Sequence, residues 1–465
     1  MIVLSIVVLY IVVLFLISAY STKLVKGTTR GYLLANQEWS FWLVAVMLAG
    51  LAIGGASTIG ISQRAFEHGL SAGWYDVAWG VGAIIVGIFG IHLWRKMDVT
   101  TIPEMLGKYY GTKARIIGVL LQIIIMLVIL SLQFVAGGAL LSSMLPRYFT
   151  LTSGMVVTAI TFVGIATIGG LWAGGLANII NVLIIWVGIS IGAIISWHSA
   201  GGSSIIIQKL PSHISHLNPL QGITIGVLVG WFIVMTTQAF SVQAIEQIGS
   251  AAKNPAEARK GFILGGLIMA PIGFLSALIG IAARAKYPHI VSVKALPTII
   301  MSINPWLAGF VLSGLWAADI STGVGLLLGS ATLAEKDILE WNFKSFREMS
   351  STKKLLLTKI TVLGIGILGL FLAFRAISVL KVLLIGLSAT TPFTIIFLFT
   401  VYKPNFCKRP AAFWTILVGM LLLVVWELFP PIRVLPHPIY LEWIVCLPIF
   451  VIISSISDKK LLTYG

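Results

Sequence analysis

Charge is what this chain lacks. Charged side chains make up 10% of its 465 residues, against about 25% in an ordinary soluble domain. That deficit excludes a soluble globular enzyme, a disordered chain and a nucleic-acid-binding module. Acidic groups are the scarcer sign, 15 Asp and Glu against 31 Lys and Arg, for a net charge of +16. Cysteine is nearly absent: Cys407 and Cys446 give neither a disulfide framework nor a metal-ligand spacing. The seven histidines suggest no metal site or proton relay, and there is no paired Asp motif. An integral membrane enzyme built on paired catalytic groups therefore has no support.

What is there is apolar surface. Hydrophobic residues are 58% of the chain, in blocks long enough to cross a bilayer, which takes about 20 residues each. The strands of a membrane barrel alternate polar and apolar residues; these blocks are apolar all round. The fold class is an all-α polytopic membrane protein. Thirteen segments qualify, numbered here as spans 1 to 13: 2–21, 41–66, 72–95, 116–145, 150–169, 175–197, 221–249, 259–283, 307–334, 355–375, 378–402, 411–429 and 438–456. Span 1 has no basic stretch before it and no small-residue cleavage motif after it, so it reads as a retained helix rather than a signal peptide, with the N-terminus outside.

Thirteen spans then put the C-terminus in the cytoplasm. The basic residues test this: the inside loops hold 22 Lys and Arg, and the outside loops hold 8, Lys381 among them. Arg64, near the end of span 2, is counted on neither side. The bias follows the positive-inside rule and fits a cell (inner) membrane protein. No loop is long enough for a catalytic or signalling domain, so the chemistry lies within the membrane.

Three spans carry polar interruptions. Span 2 reads Leu48-Ala-Gly-Leu-Ala-Ile-Gly-Gly-Ala-Ser-Thr-Ile-Gly60. Gly54 and Gly55 each cost a helix about 1 kcal/mol relative to Ala, and unwound backbone at membrane depth survives only where it lines a cavity or is buried in protein. Close packing through small residues is the plainer reading of the same glycines. Span 7 has Thr236, Thr237, Gln238, Ser241, Gln243 and Glu246; span 9 has Asp319, Ser321 and Thr322. At about 100° per residue, Ala318, Ser321 and Thr322 share one arc, with Asp319 just beyond it. A carboxylate in mid-membrane marks function by default; its plainer reading is a structural hydrogen bond. Two interrupted spans five apart, 2 and 7, point to an inverted-repeat transporter with its site at the midplane.

At this point the residues resemble the sodium:solute symporter family, relatives of the sodium-coupled proline, pantothenate and sugar transporters. The resemblance covers roughly 5–430. It rests on the glycine-rich break followed by Ala65-Phe-Glu-His-Gly69, on Thr101-Ile-Pro-Glu-Met-Leu106 after span 3, and on Gly169-Gly170 before span 6. Gln247, Ala252-Lys253 and Glu257-Ala-Arg259 after span 7 also match, as does the Ala-Ala-x-x-Ser-Thr pattern of span 9 ending in Asp337.

The resemblance implies a LeuT-type core of inverted five-helix repeats with broken helices: 41–197 (spans 2–6) and 221–402 (spans 7–11). The first span (1–21) and the last two (411–456) are peripheral. It implies a sodium site made by the backbone carbonyls of Gly50, Ile53 and Ala318 and the hydroxyls of Ser321 and Thr322. Oxygen ligands suit a hard cation. Some relatives have a second sodium site with an aspartate where this chain has Asn178, so one Na+ per cargo is expected. The cargo cavity should lie among spans 2, 3, 4, 7 and 11, with Ser57, Thr58, Asp76 with Trp79, Gln133 and Gln238 as candidates. Asp76 follows Trp74 and Tyr75 and reads equally as an interfacial residue. Arg64 and Glu67 read as a surface pair, and Trp231 and Phe240 as packing or gating aromatics.

The resulting expectation is a sodium-coupled symporter that imports a small polar organic solute. The alternative is a proton-coupled version using Asp319, which otherwise supports the sodium site. A membrane enzyme or a transporter-like sensor is a remote third. The partners expected are the solute and the lipid bilayer, with no nucleic acid and no obligate protein partner.

Overall fold

In hydrocarbon, a backbone can satisfy its polar groups only within its own helix or by burial against other helices. The computed structural model describes residues 2–211, 217–375 and 386–462, and the predicted spans fall on helices throughout them. Span 1 is Ile2–Val25, span 4 Thr112–Met144, span 10 Ser351–Ala373, span 12 Arg409–Leu428 and span 13 Pro438–Ile456. Span 9 runs Pro305–Leu333 and continues through a π-helical turn, Ala334–Leu339. Span 3 is Trp74–Phe89, extended after a bend by Ile91–Lys96. The outer part of predicted span 11, with Lys381, lies outside the described residues; its remainder is Gly386–Tyr402.

Length and apolarity alone single out nine helices among the described residues, or ten with the bent pair of span 7. The shortfall has physical causes. Span 2 is divided into Phe41–Ala52, a π-helical turn Ala56–Gly60 and Ile61–His68. Spans 5 and 6 are joined in one helical stretch, Leu151–Ser199, whose backbone leaves helical values at Gly170 (φ 58°, ψ −144°). The chain doubles back there. Trp316 bonds Thr158, while Gly188 on the far side of the turn packs on Val311, so both arms lie beside the same stretch of span 9. Only glycine takes this left-handed backbone at no cost, and a Cβ at Gly170 would collide with the Tyr32 carbonyl.

The packing has the exchange that an inverted repeat requires. The first half of span 2 packs on the first part of span 8 (Pro255–Met269), and the first half of span 7 (Ile225–Ala239) packs on span 3. Swapping spans 2 with 7 and 3 with 8 turns one pair into the other. Span 9 lies against spans 4, 5 and 6 and is buried from Val311 to Leu333. Span 1 clasps this scaffold from outside: Tyr10 donates to Asn181 and Ser18 to the Ile165 carbonyl at 2.8 Å. Spans 12 and 13 pair with each other and cover span 11.

The loops sort into two ends, as thirteen alternating spans require. At one, Arg115 pairs with Asp337 at 2.8 Å, Lys253 donates its amide to the Trp39 carbonyl at 2.9 Å, and the Phe41 amide donates to Glu257 at 2.7 Å. At the other, Trp74 donates to the Pro219 carbonyl at 2.8 Å and the Ile223 amide to Ser71 at 3.1 Å. The turn at Gly170 yields a direct check. Gly170→Ala is expected to cost about 2 kcal/mol or more of stability, seen as a lower melting temperature in detergent. Gly364→Ala, inside a helix with open space around the added carbon, should not lower the melting temperature.

Candidate ion and substrate site

The site begins where the span 2 helix stops. Phe41–Ala52 ends at Ile53 (φ −84°, ψ 78°), which turns the Ile53 carbonyl off the helix axis. Two hydroxyls bind the loosened stretch from below: Ser57 donates to the Ala52 carbonyl at 2.9 Å and Thr58 to the Gly54 carbonyl at 3.2 Å. Span 9 crosses this break. Ser321 reaches the carbonyls of Gly50 at 2.6 Å and Ala318 at 2.7 Å. Thr322 reaches those of Gly50 at 3.2 Å, Leu51 at 3.0 Å and Ala318 at 3.1 Å. Four of the five predicted ion ligands are thus in mutual contact, and Ile53 lies at the end of the same turn.

These oxygens are neutral and buried. Each hydroxyl spends its proton on a carbonyl and keeps lone pairs to offer, so the group can satisfy itself or surround a hard monovalent cation. Asn178 abuts the backbone of Gly50. Its amide donates to Met47 Sδ at 3.2 Å and accepts from Asn181 at 3.0 Å, so no carboxylate stands at this edge. Asp319 faces the neighbouring side. Its carboxylate lies against the backbone of Gly55 and Gly137, is fully buried, and has no hydrogen bond of good geometry on either oxygen.

A small cavity opens beside the break. Its walls include Ala52, Gly54 and Ala56 of span 2, Tyr75 and Trp79 of span 3, Gln133 of span 4, Gln238 of span 7, Thr322 of span 9 and Leu387 of span 11. All five spans expected around the cargo contribute. Gln133 presents an amide oxygen with no partner, and the Gln238 amide donates only to the Met235 thioether at 2.8 Å, a weak acceptor.

The other candidates lie off the cavity wall. Ser57 and Thr58 are fully buried with their hydroxyls spent inside the break. Asp76 is also buried, beside Ser57. Tyr75 instead faces the cavity, held edge-on by Trp231 at 5.7 Å between ring centroids. Phe240 packs on Phe397 at 6.0 Å. Glu67 accepts from Ser292 at the surface.

Span 7 breaks at the same depth. Ile225–Ala239 and Gln243–Ser250 meet at 52°. The turn is held by Gln122 of span 4, which donates to the Ser241 carbonyl at 2.8 Å, and by Thr394 of span 11, 2.7 Å from the Ser241 hydroxyl. Gln122 escaped the sequence reading, although a lone amide in an apolar span is the same signal that singled out Gln133. Tyr75 and Thr394 carried no such signal, because their roles come from contacts distant in sequence.

The sodium:solute symporter family model matches residues 32–419. The chain belongs to the sodium:solute symporter family. Similar proteins include sodium/glucose cotransporter 1 of Oryctolagus cuniculus, 23% identical over 90% of this chain and 70% of its own. The sodium/glucose cotransporter of Vibrio parahaemolyticus is 26% identical over 71% of this chain and 67% of its own. Among solved structures, a Na+-coupled sialic acid symporter in a substrate-bound outward-open state superposes with a TM-score of 0.83 at 17% identity, covering 99% and 98% of the two chains. MhsT in complex with L-phenylalanine superposes at 0.60 and 15% identity, over 88% and 99%. The fold is therefore the LeuT type.

Membership makes this symporter a membrane-embedded, sodium-coupled transporter of a small solute and not an enzyme. Gly54 lies between the candidate ion ligands and the candidate cargo residues, since a Cβ there would meet the Thr322 hydroxyl at 2.7 Å and the Gln133 amide oxygen at 3.2 Å. Gly54→Ala is expected to weaken stabilisation by sodium on the order of tenfold, the cost of overpacking a tight site. Thermal titration with sodium chloride against choline chloride measures it.

Proposed function

We propose that this symporter imports a small, uncharged, hydrogen-bonding organic solute together with one sodium ion by alternating access. The observation that carries the reading is the convergence of Ser321 and Thr322 on the carbonyls of Gly50 and Ala318. These four groups and the Ile53 carbonyl are the proposed sodium ligands. No charge among them is left uncompensated when the ion departs.

The cavity supports an uncharged cargo. Its lining among the described residues presents two amides on different spans, Gln133 and Gln238, and two aromatic faces, Tyr75 and Trp79, with no charged side chain. An amide both donates and accepts, and an aromatic face suits the apolar side of a ring. Among the described lining residues an anion would find no cation, and a cation no carboxylate. The names of relatives that carry sodium and glucose agree with a hydroxyl-rich cargo. Ser57, Thr58 and Asp76 then shape the break of span 2 rather than touch the cargo. Asp319, between Gly55 and Gly137, is assigned as a positioning residue that joins the ion site to spans 2 and 4.

The repeat limits 41–197 and 221–402 follow the exchanged packing of spans 2, 3, 7 and 8. The end that holds Arg115 and Asp337 is assigned to the cytoplasm by the excess of basic residues in its loops. In the cycle, spans 2 and 9 held together at the ion site complete the cavity wall at Gly54 and Thr322, and the core then rocks to open the other way. One ion suffices energetically. A charge crossing 100 mV gains about 2.3 kcal/mol and a tenfold gradient adds about 1.4 kcal/mol, enough for accumulation of several hundredfold.

The test is thermal stability of the purified protein in sodium, potassium and choline chloride across pH. A ligand of the folded state raises stability with occupancy. Sodium alone should stabilise wild type, and Ser321→Ala should lose most of that shift while keeping its solute preference. A neutral sugar or polyol added in sodium should stabilise further, and a monocarboxylate or quaternary ammonium ion should not. A sodium-independent response to pH that disappears in Asp319→Asn would replace sodium coupling by proton coupling and overturn the site assignment.

A further inference from the structure

Two hollows lie one beyond the other in this molecule. The first is the cargo cavity, whose inner wall includes Val242 and Ile245. The second lies at the end where Arg115 meets Asp337. It holds about 700 Å³ of empty space and is lined by Arg30, Leu33, Asp98, Thr100, Glu335 and Lys336, among others. The half-helix Gln243–Ser250 stands between them. Val242 and Ile245 belong to the cavity, and the two glutamines of this half-helix bind lining residues of the outer hollow.

Those bonds are specific. Gln243 accepts from the Ile102 amide at 3.0 Å and donates to the Thr100 carbonyl at 3.0 Å. Gln247, one turn on and therefore on the same face, donates to the Leu33 carbonyl at 2.6 Å and to Thr332 at 2.8 Å. Both amides are buried. The segment that Gln243 grips is anchored in turn. Thr101 donates to Asp337 at 2.6 Å, and Asp337 takes the Arg115 guanidinium at 3.0 Å and 2.8 Å. Arg115 lies over Trp341 at 4.6 Å. Span 7 is thus tied by amides to an assembly that is itself held by an ion pair between spans 4 and 9.

We propose that Gln243 and Gln247 form the release lock of the transport path, and that the polar hollow beneath them is the chamber through which cargo leaves. The proposal rests on the transport reading of the cavity above. Neutral amide bonds suit such a part. Each contributes modestly to the net, so several together hold a barrier that can still be broken and re-formed in every cycle. A buried ion pair at the same place would leave a bare charge whenever it opened. Gln247 has an amide oxygen with no partner, so it is held by its donor side alone.

The experiment uses the full chain in proteoliposomes with Cys407→Ala and Cys446→Ala, and a reporter cysteine on the cavity wall, Ala52→Cys. A membrane-impermeant maleimide is applied from the Lys336 side. Gln243→Leu combined with Gln247→Leu keeps the bulk and removes the bonds, and labelling should then quicken on the order of tenfold. Gln243→Glu accepts from Ile102 but cannot donate to Thr100, and should give an intermediate rate. Labelling from the opposite side should not quicken. Unchanged labelling in the double variant, or equal quickening from both sides, overturns the lock. The sodium thermal shift is read on the same variants. Faster labelling without any sodium shift, in wild type as well, would leave the lock standing and remove the ion assignment; a sodium shift without faster labelling would do the reverse.

Discussion

The constraint on which this structure depends is the backbone's need for partners where no water reaches. Most of the chain meets it with unbroken helices. Among the described residues spans 2 and 7 depart from that rule near the cavity, and each break is held by side chains from elsewhere. In span 2 the freed carbonyls at Gly50 and Leu51 are met by Ser321 and Thr322 of span 9. In span 7 the Ser241 carbonyl is met by Gln122. The breaks are therefore tertiary features, and the spans that repair them are those that could sense their movement. On the proposed reading, span 2 can hold an ion because the repairing groups are hydroxyls, which can give up a carbonyl for a cation. At span 7 the repairing groups are the Gln122 amide and the hydroxyls of Ser241 and Thr394, which meet the carbonyls of Thr237 and Thr390.

Much of this was legible in the sequence because the breaks are written in composition. Glycines at 54 and 55 inside an apolar run, and Ser321 with Thr322 on one arc, are local patterns, and they proved to face each other. Hydrophobic run length marked the spans, including the pair that doubles back at Gly170, where Gly169-Gly170 was the cue. The proposed cargo site was only half legible. Gln133 and Gln238 stand out as amides on apolar helices and do reach the cavity. Ser57, Thr58 and Asp76 stand out equally, yet point into the break. Which way a polar side chain faces near a distorted turn depends on the π-helical stretch at Ala56–Gly60, and regular helical spacing does not describe that geometry. Tyr75 and Leu387 could not have been chosen, since nothing in their own neighbourhoods distinguishes them.

Asn178 shows how one side chain bears on the whole. It stands against Gly50, is fixed by Asn181, and Asn181 is in turn gripped by Tyr10 of the first span. A peripheral helix thus bears on the edge of the ion site through two amides. Spans 12 and 13 act similarly on the other break, where Trp443 donates to Thr237 at 3.0 Å, next to Gln238.

The uncharged character of the ligand set has an electrical consequence. Because Ser321 and Thr322 can satisfy the carbonyls of Gly50 and Ala318 by themselves, these groups carry no charge on the unloaded return. On the proposed reading, the net charge moved per turnover is then that of the cation alone, and uptake of an uncharged solute constitutes an inward current. Membrane voltage would accelerate the loaded stroke and leave the empty return largely indifferent, so transport would continue in a polarised membrane even where the chemical gradient of sodium is small.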